Sequence, residues 1–530
     1  MPAARWDAVV IGGGHNGLVA AAYLARGGKR SLIVERSDRL GGASRTDEIL
    51  PGVRVPTYAH SVGALRARIH RDLALPRHGL ELIEPEAAAL VTRPGKPPVT
   101  LWRDPRRTAG ELGTAGLAAD AGGWLELDRL IRALGGVMDD LASVTPPNPK
   151  RPAVGDAMAG FRMLRSYRRL RTADRAALLR VLPMPVADFV SEHLEDQWLQ
   201  GAVAFRGVLH SSLGPMSAGS TTTLLTDSGA RGGAAGRTVL ARGGPGALTD
   251  AVAAAARAAG VETRTSAEVV AIATVEGAVS AVLVGGTEIA ANAVVSAIDP
   301  KRLLLDLVDP MEAGPHLRWR MGNYRTNGSV GKVNLVLSAL PAFDGVPSSD
   351  AAMRLAGRIL LTGGVMDLER AGDEARHGRL PAEPPIELTI PTLADPSLAT
   401  DGRHVLSAIV QYVPYRLDPS IGTWDTCRDA LGELVVRRLE QVAPGIGALV
   451  EARQVVTPLD LERDLGMTGG HPFHGEPSLD QWFAWRPILE LARYRTPIRG
   501  LYLTGAGTHP GGGITGAPGA NAAREVLADL

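Results

Sequence analysis

A single cysteine, Cys427, in 530 residues leaves no partner for an internal disulphide and no Cys-x-x-Cys redox centre. Disulphide-reductase chemistry of the glutathione-reductase type is therefore excluded, and Cys427 is expected to be inert. Net charge is nearly absent as well. The 57 Lys and Arg against 56 Asp and Glu leave +1, so no global field draws the chain toward nucleic acid. Long apolar runs are missing. The longest uncharged stretches, residues 207–225 and 502–523, are full of Gly, Ser, Thr or Pro and do not read as membrane spans. No apolar h-region precedes the first strand, so a secretory leader is not expected. The reading is a soluble, cytoplasmic protein, with peripheral membrane contact left open. Neither a Ser-His-Asp series nor a pair of catalytic carboxylates is visible, so a cofactor must carry any chemistry.

What is present begins at once. Asp7-Ala8-Val9-Val10-Ile11 is a short, β-branched apolar run that reads as a buried parallel strand. Gly12-Gly13-Gly14-His15-Asn16-Gly17 follows and fits G-x-G-x-x-G, opening a helix through Ala25. Ser31-Leu32-Ile33-Val34-Glu35 is a second strand that ends in an acid. Gly12 permits the tight turn, Gly14 lets backbone approach a pyrophosphate, and Gly17 lets helix and strand pack closely. The helix N-terminus offers free N–H groups and a positive dipole end. Glu35 is suited to a ribose 2′-OH and disfavours a 2′-phosphate. Strand, helix, strand and acid in this order point to a dinucleotide site.

The next stretch, Arg36-Ser37-Asp38-Arg39-Leu40-Gly41-Gly42-Ala43-Ser44, resembles the FAD-binding fold of amine oxidases and phytoene desaturases. There the second strand runs into R-x-G-G, and the residues matching Arg39 and Gly42 lie near the phosphates. The resemblance extends the expected FAD contacts to His15, Asn16, Arg36, Gly41, Ala43 and Ser44. Arg242-Gly243-Gly244 begins a further module of helix and strands ending at Asp299-Pro300. It resembles the family's return to the nucleotide domain, in which the residue matching Val269 caps the adenine side through its backbone. Residues 457–487, with Gly469-Gly470-His471-Pro472-Phe473-His474-Gly475 and Arg486-Pro487, resemble the phytoene-dehydrogenase-related branch. The closing stretch, residues 505–517, holds six glycines, which lets backbone pass close to a flat cofactor. By resemblance it adds Gly505, Ala506, Gly507, Gly516 and Ala517 to the FAD contacts. The usual acid of this loop is replaced by Gly507-Thr508.

The expected fold is α/β, a Rossmann-like FAD-binding domain (1–77, 236–300 and 451–530) interleaved with a mixed-sheet plus helical substrate domain (78–235 and 301–450). The resemblance implies an FAD-dependent oxidoreductase that removes hydride from a C–H of a small, lipophilic molecule. O2 or a quinone reoxidises the flavin. Only the G-x-G-x-x-G at residues 12–17 stands in a strand–helix–strand–acid series, so NAD(P) is not expected as a tightly held partner. A flavin-dependent isomerase or hydroxylase, or an amine oxidase, stays open on the same scaffold. A non-catalytic prenyl-protein-binding relative is the alternative from another class. His60 is a candidate proton-transfer group, since imidazole titrates in the useful range. His474 and Trp485 are further candidate catalytic residues in the active-site wall, with Trp482 and Trp485 placed to pack beside the flavin or substrate. His471 and His474 are spaced i, i+3, but Pro472 opposes a helix that would place both on one face, and no metal is expected. The stretch 161–171 is basic and apolar at once and reads as a solvated helix face, ahead of a membrane-resting helix. The sequence does not indicate the oligomeric state.

Overall fold

A computed structural model describes residues 5–147 and 154–530. The first apolar run forms the strand Trp6–Ile11, and Gly14 caps the helix His15–Arg26 that follows it. Parallel pairing runs from this strand to Ser31–Val34 on one side and to Thr287–Ser296 on the other. Glu262–Arg264 extends the sheet beyond Ser31–Val34, and Leu501–Leu503 extends it beyond Thr287–Ser296. An antiparallel pair, Val269–Val275 with Ala278–Val284, completes it. Strands buried on both faces need continuous apolar runs, and Val9, Val10, Leu32, Ile33, Val294 and Val295 are fully buried. The carboxyl ends of the parallel strands gather on one side. There the chain leaves as Gly12, Glu35, Ala297 and Thr504-Gly505, the position where open parallel sheets bind ligands.

Residues 301–324 fall in the range expected for the substrate domain (301–450). Leu303, Leu304, Leu307, Leu317 and Met321 instead pack against Trp6, Val9 and Val294 of the first sheet.

A second sheet is mixed. Its order is Val450–Val456, Val330–Leu337, His404–Gln411, Ile386–Thr389, Arg358–Leu361, Ala87–Val91 and Val99–Trp102. Side chains alternate across a strand. Val333, Leu335, Leu388, Leu406 and Ala408 point to one face, where Trp424, Leu431 and Val435 of the helix Trp424–Glu440 cover them. The opposite face carries Lys332, Asn334, Glu387, Ser407 and Gln411, all buried. Such a polar inner face is unusual for a sheet, and it turns toward the site. A helical layer built on Asp120–Ala142, Gln197–Val208 and Ser220–Gly232 closes the remaining side around Trp124, Phe189 and Phe205.

The basic stretch forms the helix Val154–Arg169. Arg162, Arg165 and Arg168 are exposed, and so is Phe161 at 67%. Among the described residues no helix is long and apolar enough to cross a membrane.

Candidate functional site

A cavity of about 610 Å³ runs from the carboxyl ends of the first sheet to the polar face of the second. Its near end is the glycine turn. Gly12 takes φ +98°, which L side chains rarely adopt. A Cβ at Gly17 would overlap the Gly12 carbonyl oxygen, so helix and strand touch there as backbone. A Cβ at Gly14 would meet nothing within 4 Å and would enter the cavity. The first N–H groups of a helix have no intrahelical partner, and here those of His15, Asn16 and Gly17 open the helix beside the cavity with no side-chain cap.

Glu35 does two things at once. Its carboxylate accepts from the Gly13 N–H at 2.6 Å and from the Ser37 N–H at 2.9 Å, and the residue also lines the cavity. The acid therefore braces the turn it faces. Glu35→Ala should keep the fold and lower FAD affinity, since a charged hydrogen bond contributes about 1.5–3 kcal/mol. A titration of apoprotein with FAD reads this.

Three buried atoms on this wall, His15 Nε2, Asn16 Oδ1 and Ser44 Oγ, have no hydrogen-bond partner among the described residues. Unpaired buried polar atoms are costly, and these suit a ligand rich in phosphate and hydroxyl groups. Burial pushes the His15 imidazole down to about 4, so it stands neutral. His474 lies across from it. Burial and the Arg486 charge lower it to about 4 as well. Asp299, after the strand Thr287–Ser296, receives the N–H groups of Lys301 and Arg302 on one oxygen. Burial raises its carboxyl to about 6.

The far end is built on the second sheet. Lys332, Ile409 and Glu387 sit opposite one another on three adjacent strands. The Glu387 carboxylate takes Arg358 Nη1 at 3.1 Å on one oxygen and His60 Nε2 at 3.2 Å on the other. Burial alone would raise this carboxyl, but Arg358 and His60 outweigh it and hold it at about 2. An ionised carboxylate only accepts, so His60 donates from Nε2 and keeps a lone pair on Nδ1. That Nδ1 has no partner among the described residues. Burial lowers His60 to about 4. Lys332 is buried, its Nζ has no partner among the described residues, and its ammonium is pushed well below the usual range by desolvation.

The comparisons match this architecture. Residues 17–527 match the model of the flavin containing amine oxidoreductase family. The chain belongs to that family. It is a flavin oxidoreductase, and its cofactor is FAD. It is 34% identical to "Pyridine nucleotide-disulfide oxidoreductase domain-containing protein 2" from Rattus norvegicus, over 99% of this chain and 94% of the rat protein. The single cysteine here provides no dithiol of the kind that name evokes. A phytoene dehydrogenase from Streptomyces griseus is 32% identical over 26% of this chain and 27% of its own. Among solved structures, cyclohexylamine oxidase from Brevibacterium oxydans IH-35A has a TM-score of 0.59 at 16% identity, covering 99% of this chain and 98% of its own. This last likeness speaks for the fold.

Of the residues singled out from sequence, Gly12, Gly14, His15, Asn16, Gly17, Glu35, Arg36, Gly42, Ala43, Ser44, His60, His474, Gly505 and Ala506 all line this cavity of the flavin oxidoreductase. Others stand back from it. Trp485 is 48% exposed and lies outside the lining, while Trp482 lies in it. The short helical turn Phe483–Trp485 carries the later ring outward. Arg39 pairs with Asp47 at 2.5 Å, half-exposed, away from the lining. Gly41 donates to the Gly13 carbonyl and shapes the turn from behind. Val269 is buried in its strand. In the last loop, Gly507 packs on Pro300 and Gly516 on Ile69. The lining there is Pro510 to Thr515, and Ala517 begins the helix behind it. Among the described residues no group of three or more His, Cys, Asp or Glu could hold a metal.

Lys332 and Glu387 were not singled out from sequence. The signal was a lone lysine inside Gly331-Lys332-Val333-Asn334-Leu335 and a lone acid inside Ile386-Glu387-Leu388. A charge in the middle of a buried strand is expensive unless it serves something.

Proposed function

We propose that this flavin oxidoreductase removes hydride from a C–H of a small, largely apolar molecule, as a desaturation or dehydrogenation. O2 or a quinone then takes the electrons. The observation that supports this most is one continuous cavity, lined by the glycine turn and Glu35 at one end and by a partly apolar chamber at the other. FAD bound there supplies the hydride acceptor.

The chain supplies the rest. The N–H groups opening the helix His15–Arg26, together with His15, Asn16 and Ser44, hold the phosphates and ribose. Leu209, Val330, Ile409, Phe473 and Trp482 line the chamber, exclude water and position the substrate. The Nδ1 lone pair of His60 takes the proton where one leaves. Glu387, fixed by Arg358, holds the ring in the tautomer that allows this, a base set by a third group. Glu387 is already engaged on both oxygens, which leaves it poorly placed to receive a substrate ammonium. That weighs against the amine-oxidase reading.

The test is direct. Purified protein should be yellow with about one FAD per chain. Under anaerobic conditions a panel of alkenes, terpenoids, acids and alcohols should include compounds that bleach the flavin. Bleaching by amines alone, with peroxide released in air, would replace this reading with amine oxidation. Product formed with no bleaching would point to an isomerase.

A further inference from the structure

The helix Val154–Arg169 carries apolar side chains on two sides. Met163 and Tyr167 pack inward on the core of the helical layer, and Leu170 follows them into it. A surface helix needs only that one apolar stripe. Yet Met158, Phe161 and Leu164 stand outward, 60%, 67% and 44% exposed. Apolar residues scattered singly on a surface are ordinary, but these three lie within two turns on one face. Each is followed four residues later by an exposed arginine, Arg162, Arg165 and Arg168. Residues four apart are neighbours on a helix, so three apolar–arginine pairs are stacked along the outer face. Arg169, also exposed, joins them.

The charge on this face has one sign. The sole acid of the helix, Asp156, pairs with Arg493. Arg129, Arg171 and Arg180 of the adjoining segments each hold an acid, whereas among the described residues Arg162, Arg165, Arg168 and Arg169 hold none. The same face of a second copy would set these arginines against one another, which disfavours a self-interface. Nucleic acid would engage the arginines but leave Met158, Phe161 and Leu164 in water. The helix also starts beside the rim of the cavity. Arg493, which holds Asp156, donates to the Pro146 carbonyl at 3.3 Å, just past the last turn of Asp120–Ala142, where Asp139 and Asp140 line the cavity.

We propose that this face docks the protein on an anionic lipid bilayer. Met158, Phe161 and Leu164 enter the boundary between headgroups and acyl chains, and the four arginines reach lipid phosphates. Arginine stems lie along apolar surface while their guanidinium groups stay at the polar level, so the two residue types share one face without conflict. The sequence pattern alone reads as a solvated helix face, and the outward apolar side chains favour the membrane-resting reading over it. Docked this way, the cavity rim at Asp139 and Asp140 comes close to lipid, where a largely apolar substrate concentrates. Only that last step rests on the flavin reading above; the surface itself does not.

The experiment sediments the yellow holoenzyme with vesicles of phosphatidylcholine and phosphatidylglycerol in equal parts, and with vesicles of phosphatidylcholine alone. Binding to the mixed vesicles should be roughly tenfold tighter or more, and should fall steeply with added salt. Arg165→Gln with Arg168→Gln should weaken it roughly thirtyfold at low salt. Phe161→Ser with Met158→Ser should weaken it about tenfold or more. Both double variants should keep the flavin content and melting temperature of the wild type, since all four side chains are exposed. Equal binding to both vesicle types, or to neither, overturns the inference. So does mixed-vesicle binding that both double variants leave unchanged. A wild-type dimer that Phe161→Ser with Met158→Ser turns into monomer would give the face to a second copy instead. Protein that binds the mixed vesicles but purifies colourless and rejects FAD would strike the flavin reading and leave this surface standing.

Discussion

Gly14→Val should give a folded, colourless protein, whereas Gly17→Val should give no stable protein at all. The two glycines lie three residues apart in one motif but meet different surroundings. At Gly14 the backbone is extended, with φ −71° and ψ 169°, which valine adopts readily. A Cβ there touches no protein atom and enters the space beside the free N–H groups of the helix. The branched side chain would stand where the phosphates must approach, so affinity for FAD is lost while the fold is kept. At Gly17 the added carbon collides with the Gly12 carbonyl and with Ala297 Cβ. Both belong to the packed junction between the first helix and the first sheet, and backbone cannot yield as a side chain can. A cost of about 4 kcal/mol or more is expected for such a collision. Circular dichroism, thermal melting of the apoprotein and flavin content after gel filtration separate the two outcomes. A yellow Gly14→Val protein would show that the cofactor does not lie against this turn. A stable Gly17→Val protein would show that the junction is looser than drawn.

The same contrast explains what was legible in the sequence. The turn, the helix and both flanking strands follow from local pattern, because a parallel strand buried on two faces has few spellings. Glu35 was legible as an acid at a strand end. Its grip on Gly13 and Ser37 was not, since that depends on how the turn folds back. The far end of the cavity was poorly legible. Lys332, Glu387, His60 and His210 come from four separate segments, and only sheet register and helix packing bring them together. A single-residue step in register would turn Lys332 into the apolar core. Trp485 was misplaced for a related reason. Trp482 and Trp485 are equally aromatic, and the turn between them decides which one faces inward. Residues 303–324 follow the last strand of the nucleotide module and lie within the expected substrate range 301–450. Their leucines find the nearer apolar surface, the outer face of the first sheet.

Arg486→Met should cost about 3–5 kcal/mol of stability and strip the flavin with it. Arg486 is 2% exposed. Its guanidinium donates to five carbonyl oxygens, those of Phe473, Gly475, Glu476, Gln481 and Ala506, at 2.8–3.2 Å. Each carbonyl is buried or nearly so, and methionine fills the volume without satisfying any of them. An unpaired buried acceptor carries most of its desolvation penalty. The five carbonyls lie on two strips that this side chain ties together by hydrogen bonds, residues 473–481 and the loop beginning at Gly505. Phe473, His474 and Ala506 from these strips line the cavity. Loss of the fork therefore loosens the wall against the cofactor as well as the local fold. Arg486→Lys keeps the charge but not the planar, multidentate fork, so it should fall between wild type and Arg486→Met in both melting temperature and flavin content. Apoprotein melting tells this case from Gly14→Val, which should lose flavin without losing stability. If Arg486→Met melts with the wild type and retains its flavin, the two strips are joined by something other than this guanidinium.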